Sequence, residues 1–474
     1  MKYDVTIGIE IHLELKTKTK MFSAAPCSFN QPANTACNEI DLGFPGVLPS
    51  VNLEAVKKAI QACIALNLTV DPLIKFDRKN YYYSDLPKGY QITQQFHPIG
   101  KNGVLEVHDN GEKINVGIER IHMEEDTAKQ FHLKEDTLID FNRAGTPLIE
   151  IVSKPDMTNS NQVRNYLETL KRIFVYLGIS DAKMEEGSMR CDINISLKNK
   201  GSSKLGKKVE IKNLNSISNA EKAIEFEIKR QSLLLDNNEP VNQETRRYDE
   251  KLKETILMRK KEGSVDYKYF PEPNIFPILL DNEWINTIKM NLPLLPQHFY
   301  NVYKNEYLLA DNDVDFLLDN RDVANYFVKT LDTCSNIKSV FNFITSELIG
   351  RLSKKNIDIN NTLLTPNNLG ELLNFVNDGS ISNKQAKNLL DEMILGAKAK
   401  ELIESKNMKQ DSNSDVILKI VKEVLSENEQ SIIDYKNGKD RALGFLVGQV
   451  MKKSKGQANP AIASKLVKEE LDKA

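Results

Sequence analysis

The sequence predicts an α+β protein in which a largely antiparallel sheet is followed by helices. Several short segments within the first 290 residues alternate apolar with polar residues, which is typical of half-buried strands. These segments follow one another more often than they alternate with helical segments, and this order favours an antiparallel sheet over a doubly wound parallel one. From about Leu294 onward, apolar residues recur at the spacing of amphipathic helices.

The first strand is the clearest element, because every odd position from Val5 to Leu15 is apolar. Other alternating segments predict strands at residues 113–121, 138–142, 147–152, 189–197 and 208–214. Helical spacing predicts helices at residues 52–67, 163–177 and 218–235, the second of which should end at Gly178. Further short helices are expected at residues 322–331, 369–375, 383–395 and 415–427.

Two breaks divide the chain. Five prolines between Pro271 and Pro296 predict an inter-domain connection, and a polar stretch at residues 407–414 predicts a second one. We therefore expect three domains, at residues 1–292, 293–406 and 407–474.

Composition excludes several classes of protein. Apolar residues make up 40% and charged residues 27%, as in ordinary soluble globular proteins. Lys and Arg total 64 against 66 Asp and Glu, so any RNA binding must use a local patch rather than bulk charge. The N-terminus lacks a signal peptide pattern, and no apolar run approaches the roughly 18 residues that would span a bilayer. Five cysteines without close CxxC pairs fit a reducing compartment, so a cytoplasmic protein is expected.

Two apparent motifs do not indicate chemistry. The segment at residues 201–208 almost matches a P-loop, but Lys208 replaces the hydroxyl residue and a strand follows instead of a helix. Cys27 and Cys37 are too few to complete a four-ligand zinc site, and no Cys–His or Ser-rich amidase signature is present. A covalent enzyme intermediate is therefore not expected.

Acidic residues recur on strand after strand. Glu10, His12 and Glu14 share the polar face of the first strand, although a solvent-facing strand would explain these three alone. Glu150 interrupts an apolar run, where a carboxylate is costly unless it is paired or binds a metal. Three consecutive acids, Glu124 to Asp126, are expected to lie behind the strand at 113–121. Oxygen ligands of this kind favour Mg²⁺ or Mn²⁺ over zinc.

Basic residues are interleaved with these acids and suit phosphate oxygens; they are Arg143, Arg190, Lys212, Arg246, Arg247 and Arg259. Each one could instead form a structural ion pair. Metal ligands and phosphate ligands together, on an antiparallel sheet without a P-loop, indicate ATP-dependent phosphoryl transfer.

Long blocks of the chain are similar to one known family. The blocks are IGIEIHLEL, DLGFPGVLP, FDRKNYYYSDLPKGYQI, IHMEEDTAK, NRAGTPLIEIVS, MEEGSMRCDINIS, EIKNLNS, QETRRYD, DYKYFPEP and KGQANP. They resemble the B subunits of the tRNA-dependent amidotransferases along essentially the full length. The resemblance implies a glutamine synthetase-like cradle, a helical domain and a YqeY-like helical tail.

The resemblance also implies an activity. Such a protein uses ATP to phosphorylate the side-chain carboxylate of Glu mischarged on tRNA(Gln), and often of Asp mischarged on tRNA(Asn). Ammonia released from glutamine by a separate glutaminase subunit then displaces phosphate, so the complex is a carbon–nitrogen ligase with glutamine as amido donor. The implied partners are the A (glutaminase) and C subunits of a heterotrimer and the mischarged tRNA, with no membrane.

Site residues can now be predicted. Glu10, His12, Glu125 and Glu150 are expected to be catalytic and to bind Mg²⁺, with Glu186, Asp192 and Glu210 as alternate ligands. Lys79, Arg143, Arg190, Lys212 and Arg247 are expected to bind ATP. Many relatives carry two cysteine pairs that form a zinc site, whereas this chain keeps Cys27 and Cys37 alone, so we expect zinc to be absent.

Two other classes of function remain open: an RNA-binding adaptor without chemistry, and a stand-alone metal-dependent ligase. The acidic sheet disfavours the adaptor, because a phosphate backbone should avoid it. The helical tail disfavours the stand-alone ligase. Within that tail, Lys452, Lys453 and Lys455 belong to a local basic segment that is expected to contact the tRNA body.

Overall fold

A computed structural model describes residues 2–27, 31–109, 112–260, 266–406, 408, 414–436, 441–454, 458 and 460–473. The chain forms two compact units, Met1–Phe299 and Tyr300–Ala474. This division falls seven residues after the expected boundary at 292, and the three-domain division remains a prediction. The proposed break at 407–414 and the KGQANP block lie largely outside the described residues.

Unit 1 is built on a nine-stranded sheet. The strands of the described chain are β1 (Tyr3–Glu14), β2 (Thr69–Val70), β3 (Leu73–Ile74), β4 (Asp77–Asn80), β5 (Tyr90–Thr93), β6 (Gly100–Asp109), β7 (Glu112–Glu125), β8 (Lys129–His132), β9 (Thr137–Asp140), β10 (Pro147–Ser153), β11 (Met189–Asn199), β12 (Val209–Lys212), β13 (Glu244–Asp249), β14 (Glu254–Lys260), β15 (Phe270–Pro271) and β16 (Ile278–Leu279). The nine strands of the sheet lie in the order β14-β13-β12-β11-β1-β10-β7-β6-β2. Only the β12–β13 pair in this sheet, as far as the chain is described, is parallel.

Strand β1 lies near the middle of the sheet and separates two chemically different faces. Its odd residues are buried in the main core of unit 1, and Ile7, Ile9 and Ile11 among them are at most 1% exposed. Side chains alternate along a strand, so the even residues lie on the opposite face. The predicted α+β fold and its alternating first strand are confirmed.

Helices cover the apolar face and make up the described part of unit 2. They are α1 (Leu53–Ala65), α2 (Ser160–Leu177), α3 (Ile217–Asp236), α4 (Asn282–Met290), α5 (Pro296–Asn301), α6 (Asp311–Asp319), α7 (Arg321–Leu331), α8 (Ile337–Phe343), α9 (Ile349–Lys354), α10 (Pro366–Asn377), α11 (Asn383–Ile394), α12 (Ala399–Ser405), α13 (Ser414–Glu427), α14 (Glu429–Lys436), α15 (Arg441–Lys453) and α16 (Pro460–Lys473). Two π-helical turns, Val302–Glu306 and Ile344–Leu348, lie between them.

Helices α1, α2 and α3 show why this layer forms. Each begins at a side-chain cap, from Asn52, Asn159 and Ser216 respectively, whose oxygen accepts an N–H of the first turn. Helix α2 ends at Gly178, which has a φ of 67°, as the sequence predicts. Their apolar residues join the odd residues of β1 in one core. No described helix has both the length and the apolar character needed to cross a membrane.

Two predicted elements need correction. Strand β7 does not end at Ile121 but continues to Glu125, so the acidic run begins within the strand rather than following it. Pairing with β10 extends the strand, because His122 and Glu124 lie directly opposite Glu150 and Leu148. The segment predicted at 138–142 forms the short strand β9, which pairs with β8 outside the main sheet.

Candidate active site

The first cluster lies on the polar face where β1, β10 and β7 run side by side. His12 and His122 flank Glu150 in register, and each Nε2 atom is 3.3 Å from Glu150 Oε2. The same Nε2 atoms are 3.6 and 3.7 Å from the carboxylate of Glu124. Ligating atoms of His12, Glu124 and Glu150 all lie within 4.8 Å of one another, which is a spacing that one metal ion could bridge.

The charged groups of this cluster shift one another's pKa values. Burial would lower the pKa of His122, but the carboxylates of Glu150 and Glu124 outweigh it and raise the pKa to about 9. Burial opposes ionisation of Glu150, yet His122 and His12 hold its pKa well below the usual range. The two imidazoles therefore stabilise the ionised form of Glu150.

The second cluster lies one row further along β1 and extends over β11 and β12. Glu10, Asp192 and Glu210 present carboxylate oxygens that all lie within 4.8 Å of one another. Burial, and then the charge of Glu150, raise the pKa of Glu10. Asn194 Nδ2 donates to Glu10 at 2.9 Å, and its buried Oδ1 has no partner among the described residues. Three close carboxylates and an unpaired amide oxygen are a donor set suited to Mg²⁺.

A cavity of about 1110 Å³ opens beside both clusters, and its wall includes His12, Asp192 and the cations Arg143, Arg190 and Lys212. Asp126 holds the two guanidinium groups, since its Oδ2 is 2.6 Å from Arg190 and 3.4 Å from Arg143. Lys212 pairs with Asp192 and lies 3.5 Å from Glu210. The cavity therefore combines metal-type ligands with cations that can neutralise phosphate oxygens.

Eight of the residues predicted from the sequence are brought together at this face: Glu10, His12, Glu150, Asp192, Glu210, Arg143, Arg190 and Lys212. Glu186 lines the same cavity but is paired with Lys183 at 2.8 Å. Arg247 lies on β13, 3.4 Å from Asp249, and Lys79 lies over the rings of Tyr81 and Tyr267.

Glu125 is not part of either cluster. Its carboxylate pairs with Lys88 and accepts the backbone N–H of Ile92 at 3.0 Å. Glu124 and His122, which are not among the site residues predicted from the sequence, lie beside Glu150 instead. Alternation along β7 places the two adjacent glutamates on opposite faces. A signal is available in the sequence, because His122 and Glu124 share one parity, but the predicted strand ends before them.

The two candidate zinc ligands lie in the loop after β1. Cys27 Sγ accepts from the Thr17 hydroxyl at 3.8 Å, and the Cys37 thiol donates to the Asn34 carbonyl at 3.6 Å. Within the described ranges, which omit residues 28–30, neither belongs to a group of three ligating atoms. The absence of zinc stays a prediction. Metal analysis of the purified chain should give far less than one equivalent, and a value near one equivalent would contradict it.

Thr245 supports the second cluster from β13. It lies opposite Glu210 in the parallel β12–β13 pair, is 1% exposed, and its hydroxyl donates to Glu210 Oε2 at 2.8 Å. Hydrogen bonds that orient a ligand typically change metal affinity by about 10- to 100-fold. We expect Thr245→Val to weaken Mn²⁺ binding about tenfold, measured by electron paramagnetic resonance, and Thr245→Ser to restore it. Equal affinity in all three proteins would show that Thr245 does not orient Glu210.

The chain thus has an α+β unit with a polar, ligand-rich sheet face, followed in sequence by a helical unit. Comparison with known proteins identifies the class of protein that has these two parts. Residues 5–286 match the model of the GatB/GatE catalytic domain, and residues 325–471 match that of the GatB domain.

Full-length relatives give the particular family. The chain is 47% identical, over 100% of both sequences, to the B subunit of the aspartyl/glutamyl-tRNA(Asn/Gln) amidotransferase of Geobacillus thermodenitrificans. It is 46% identical, again over 100% of both, to the protein of the same name from Staphylococcus aureus strains JH9 and Newman. The chain belongs to this family of amidotransferase B subunits.

Proposed function

We propose that this chain is the component of a glutamine-dependent amidotransferase that phosphorylates the side-chain carboxylate of mischarged Glu-tRNA(Gln), and of Asp-tRNA(Asn), with ATP. The observation that carries the proposal is the pair of adjacent three-residue clusters on one sheet face, beside a cavity whose wall includes Arg143, Arg190 and Lys212. The relatives' names specify a tRNA(Asn/Gln) amidotransferase, which supplies the substrate class.

The residues present fit Mg²⁺. His12, Glu124 and Glu150 would hold one ion and Glu10, Asp192 and Glu210 a second; bound there, the ions would stabilise negative charge on transferring phosphoryl oxygens. Arg143, Arg190 and Lys212 face the same space and would orient and neutralise the phosphate groups of ATP. We retain these three cations as ATP ligands. Glu124 takes the place among the metal ligands that was predicted for Glu125.

Phosphorylation solves the chemical problem that a carboxylate presents. Its oxygen is a poor leaving group, whereas phosphate leaves readily when ammonia attacks the acyl carbon. Two thiols line the cavity, but burial raises the pKa of both Cys27 and Cys191, so neither is held as a thiolate. This supports direct phosphoryl transfer to the substrate rather than a cysteine-linked intermediate.

The test is ATP-dependent conversion of Glu-tRNA to Gln-tRNA by the heterotrimer, with glutamine or with ammonium. Ammonium should replace glutamine, because this chain is proposed to activate the carboxylate while the glutaminase partner releases ammonia. The isolated chain should not hydrolyse glutamine. Amidation by the chain alone with ammonium would indicate a stand-alone ligase, and tRNA binding without ATP turnover would indicate an adaptor. The cytoplasmic location remains a prediction.

The C-terminal helices are proposed to contact the tRNA body. Helices α13, α15 and α16 share a core of their own, which includes Val421, Leu446 and Val467. Deleting the chain after about Asn407 should raise the KM for charged tRNA while ATP binding persists. The physical reason is that contacts to the phosphates of the tRNA contribute binding affinity and not catalysis.

The basic residues of this tail differ in whether they form ion pairs within the chain. Lys453 is 2.6 Å from Glu427 and 3.1 Å from Glu423, whereas Lys455 lies outside the described residues. Lys452→Ala should therefore flatten the salt dependence of tRNA binding more than Lys453→Ala does. Filter binding at several salt concentrations measures both slopes. Unchanged slopes and an unchanged KM after deletion would make the tail an element of stability or of complex assembly.

A further inference from the structure

A cluster of tyrosines stands at the edge of the site and is not used by the mechanism above. This tyrosine platform consists of Tyr81, Tyr83, Tyr267 and Tyr269, whose rings are neighbours, together with Tyr82, which lies between Tyr81 and Tyr83 in the chain. Ring centroids are 5.9 Å apart for Tyr81 and Tyr83, 6.0 Å for Tyr81 and Tyr267, and 6.1 Å for Tyr267 and Tyr269. Tyr82 is 90% exposed and Tyr83 63% exposed, so ring faces are open to a ligand.

One cation belongs to the platform. Lys79 Nζ lies 4.9 Å from the ring centroid of Tyr267 and 5.6 Å from that of Tyr81. Among the described residues no carboxylate is within ion-pair distance of Lys79, whereas neighbouring Arg78 is paired with Glu272 at 2.6 Å. The platform therefore presents aromatic faces together with a positive charge that no described acid compensates, a combination suited to nucleic acid without base pairing.

Hydrogen bonds connect the platform to the wall of the large cavity. Two residues after Tyr83, Asp85 accepts the Thr127 hydroxyl at 3.2 Å and the Ala128 N–H at 2.9 Å. The carbonyls of Thr127 and Ala128 in turn accept from Arg143, at 2.9 and 3.0 Å, and Arg143 lines the cavity. Burial, and then the charge of Glu124, raise the pKa of Tyr81, in keeping with a position beside the first cluster.

We propose that the tyrosine platform stacks on the unpaired 3′-terminal bases of the aminoacyl-tRNA and so guides the aminoacyl group to the carboxylate clusters. The inference rests on the proposed function and deepens it by naming the contact surface for the substrate. Exposed rings at the rim suit a polymer that continues out of the site, whereas the phosphates of ATP are expected within the cavity. Every base offers a face for stacking, and Lys79 can neutralise an adjacent phosphate.

The test uses the heterotrimer and a tRNA that carries 2-aminopurine at its 3′ terminus, whose fluorescence is quenched by stacking. Tyr82→Ala and Tyr83→Ala should each weaken binding about tenfold and reduce the quenching, in line with the usual strength of base–aromatic stacking. Tyr82→Phe and Tyr83→Phe should retain both. Phe276→Ala is the matched control, because Phe276 is an 83% exposed aromatic residue outside the platform.

Three results would overturn the inference. One is unchanged tRNA affinity and quenching in both alanine variants. Another is a raised KM for ATP with unchanged tRNA binding, which would assign the rings to the nucleotide. The third is loss of heterotrimer assembly on gel filtration, which would make the rings a contact between the proteins of the complex. Because quenching needs no turnover, a wild-type complex that stacks the base but fails to amidate would contradict only the proposed function.

Discussion

Glu150→Gln is expected to abolish ATP-dependent amidation, with a loss of about a thousandfold or more. Glu150 lies 3.3 Å from both His12 and His122 and contributes a ligating oxygen to the first cluster. An amide has nearly the same shape but no charge, so the ion should bind poorly. Its stabilisation of charge in the transition state, worth several kcal/mol, should then be lost. Ammonium is the nitrogen source in this assay, because it bypasses the glutaminase partner. Glutaminase activity of the complex should survive.

The neighbouring pair Glu124 and Glu125 supplies the control for this prediction. Glu124→Gln should behave as Glu150→Gln does, since Glu124 lies beside His12 and His122. Glu125→Gln removes a partner of Lys88 instead, so it should lower stability and leave Mn²⁺ affinity nearly unchanged. If Glu150→Gln, or Glu10→Ala and His12→Ala, retain wild-type amidation, the clusters are structural. The assignment of metal ligands then fails.

Lys20→Met is expected to destabilise unit 1 by about 3–5 kcal/mol, the usual cost of leaving one charge of a buried pair uncompensated. The side chains of Lys20 and Asp41 are 0% and 2% exposed, and Nζ is 3.2 Å from Oδ2. Asp41 also accepts the Ser23 hydroxyl at 2.8 Å and the Asn38 N–H at 3.0 Å. Removing the lysine leaves this carboxylate buried with hydrogen bonds but no countercharge.

Urea unfolding followed by tryptophan fluorescence measures the effect on the correct unit. The chain has one tryptophan, Trp284, which packs against the core of unit 1. Lys16→Met is the matched control, because Lys16 and its partner Asp181 are 63% and 56% exposed and should contribute little. Adding Asp41→Asn to Lys20→Met should recover much of the loss. Equal unfolding midpoints for Lys16→Met and Lys20→Met would show that the buried pair is not important for stability.

How much of the site can be predicted from the sequence depends on whether each pattern lies within one short segment of the chain. The odd apolar residues of β1, the cap-to-glycine span of α2 and the carboxylate inside β10 are all properties of short segments. They are sufficient to predict an α+β fold with Glu10, His12 and Glu150 on one polar face. Asp192 and Glu210 also follow from alternation, since each lies on a strand whose own pattern is clear.

The sequence by itself thus determined the fold class, the family and most of the polar face. Only the tertiary structure decided that β7 continues through His122 and Glu124, because pairing with β10 and the charge of Glu150 stabilise a run too polar to indicate a strand alone. Because β7 continues, Glu125 lies on the opposite face of the strand from Glu124, and its carboxylate pairs with Lys88. Register between strands depends on residues far apart in the chain, and no local pattern contains it.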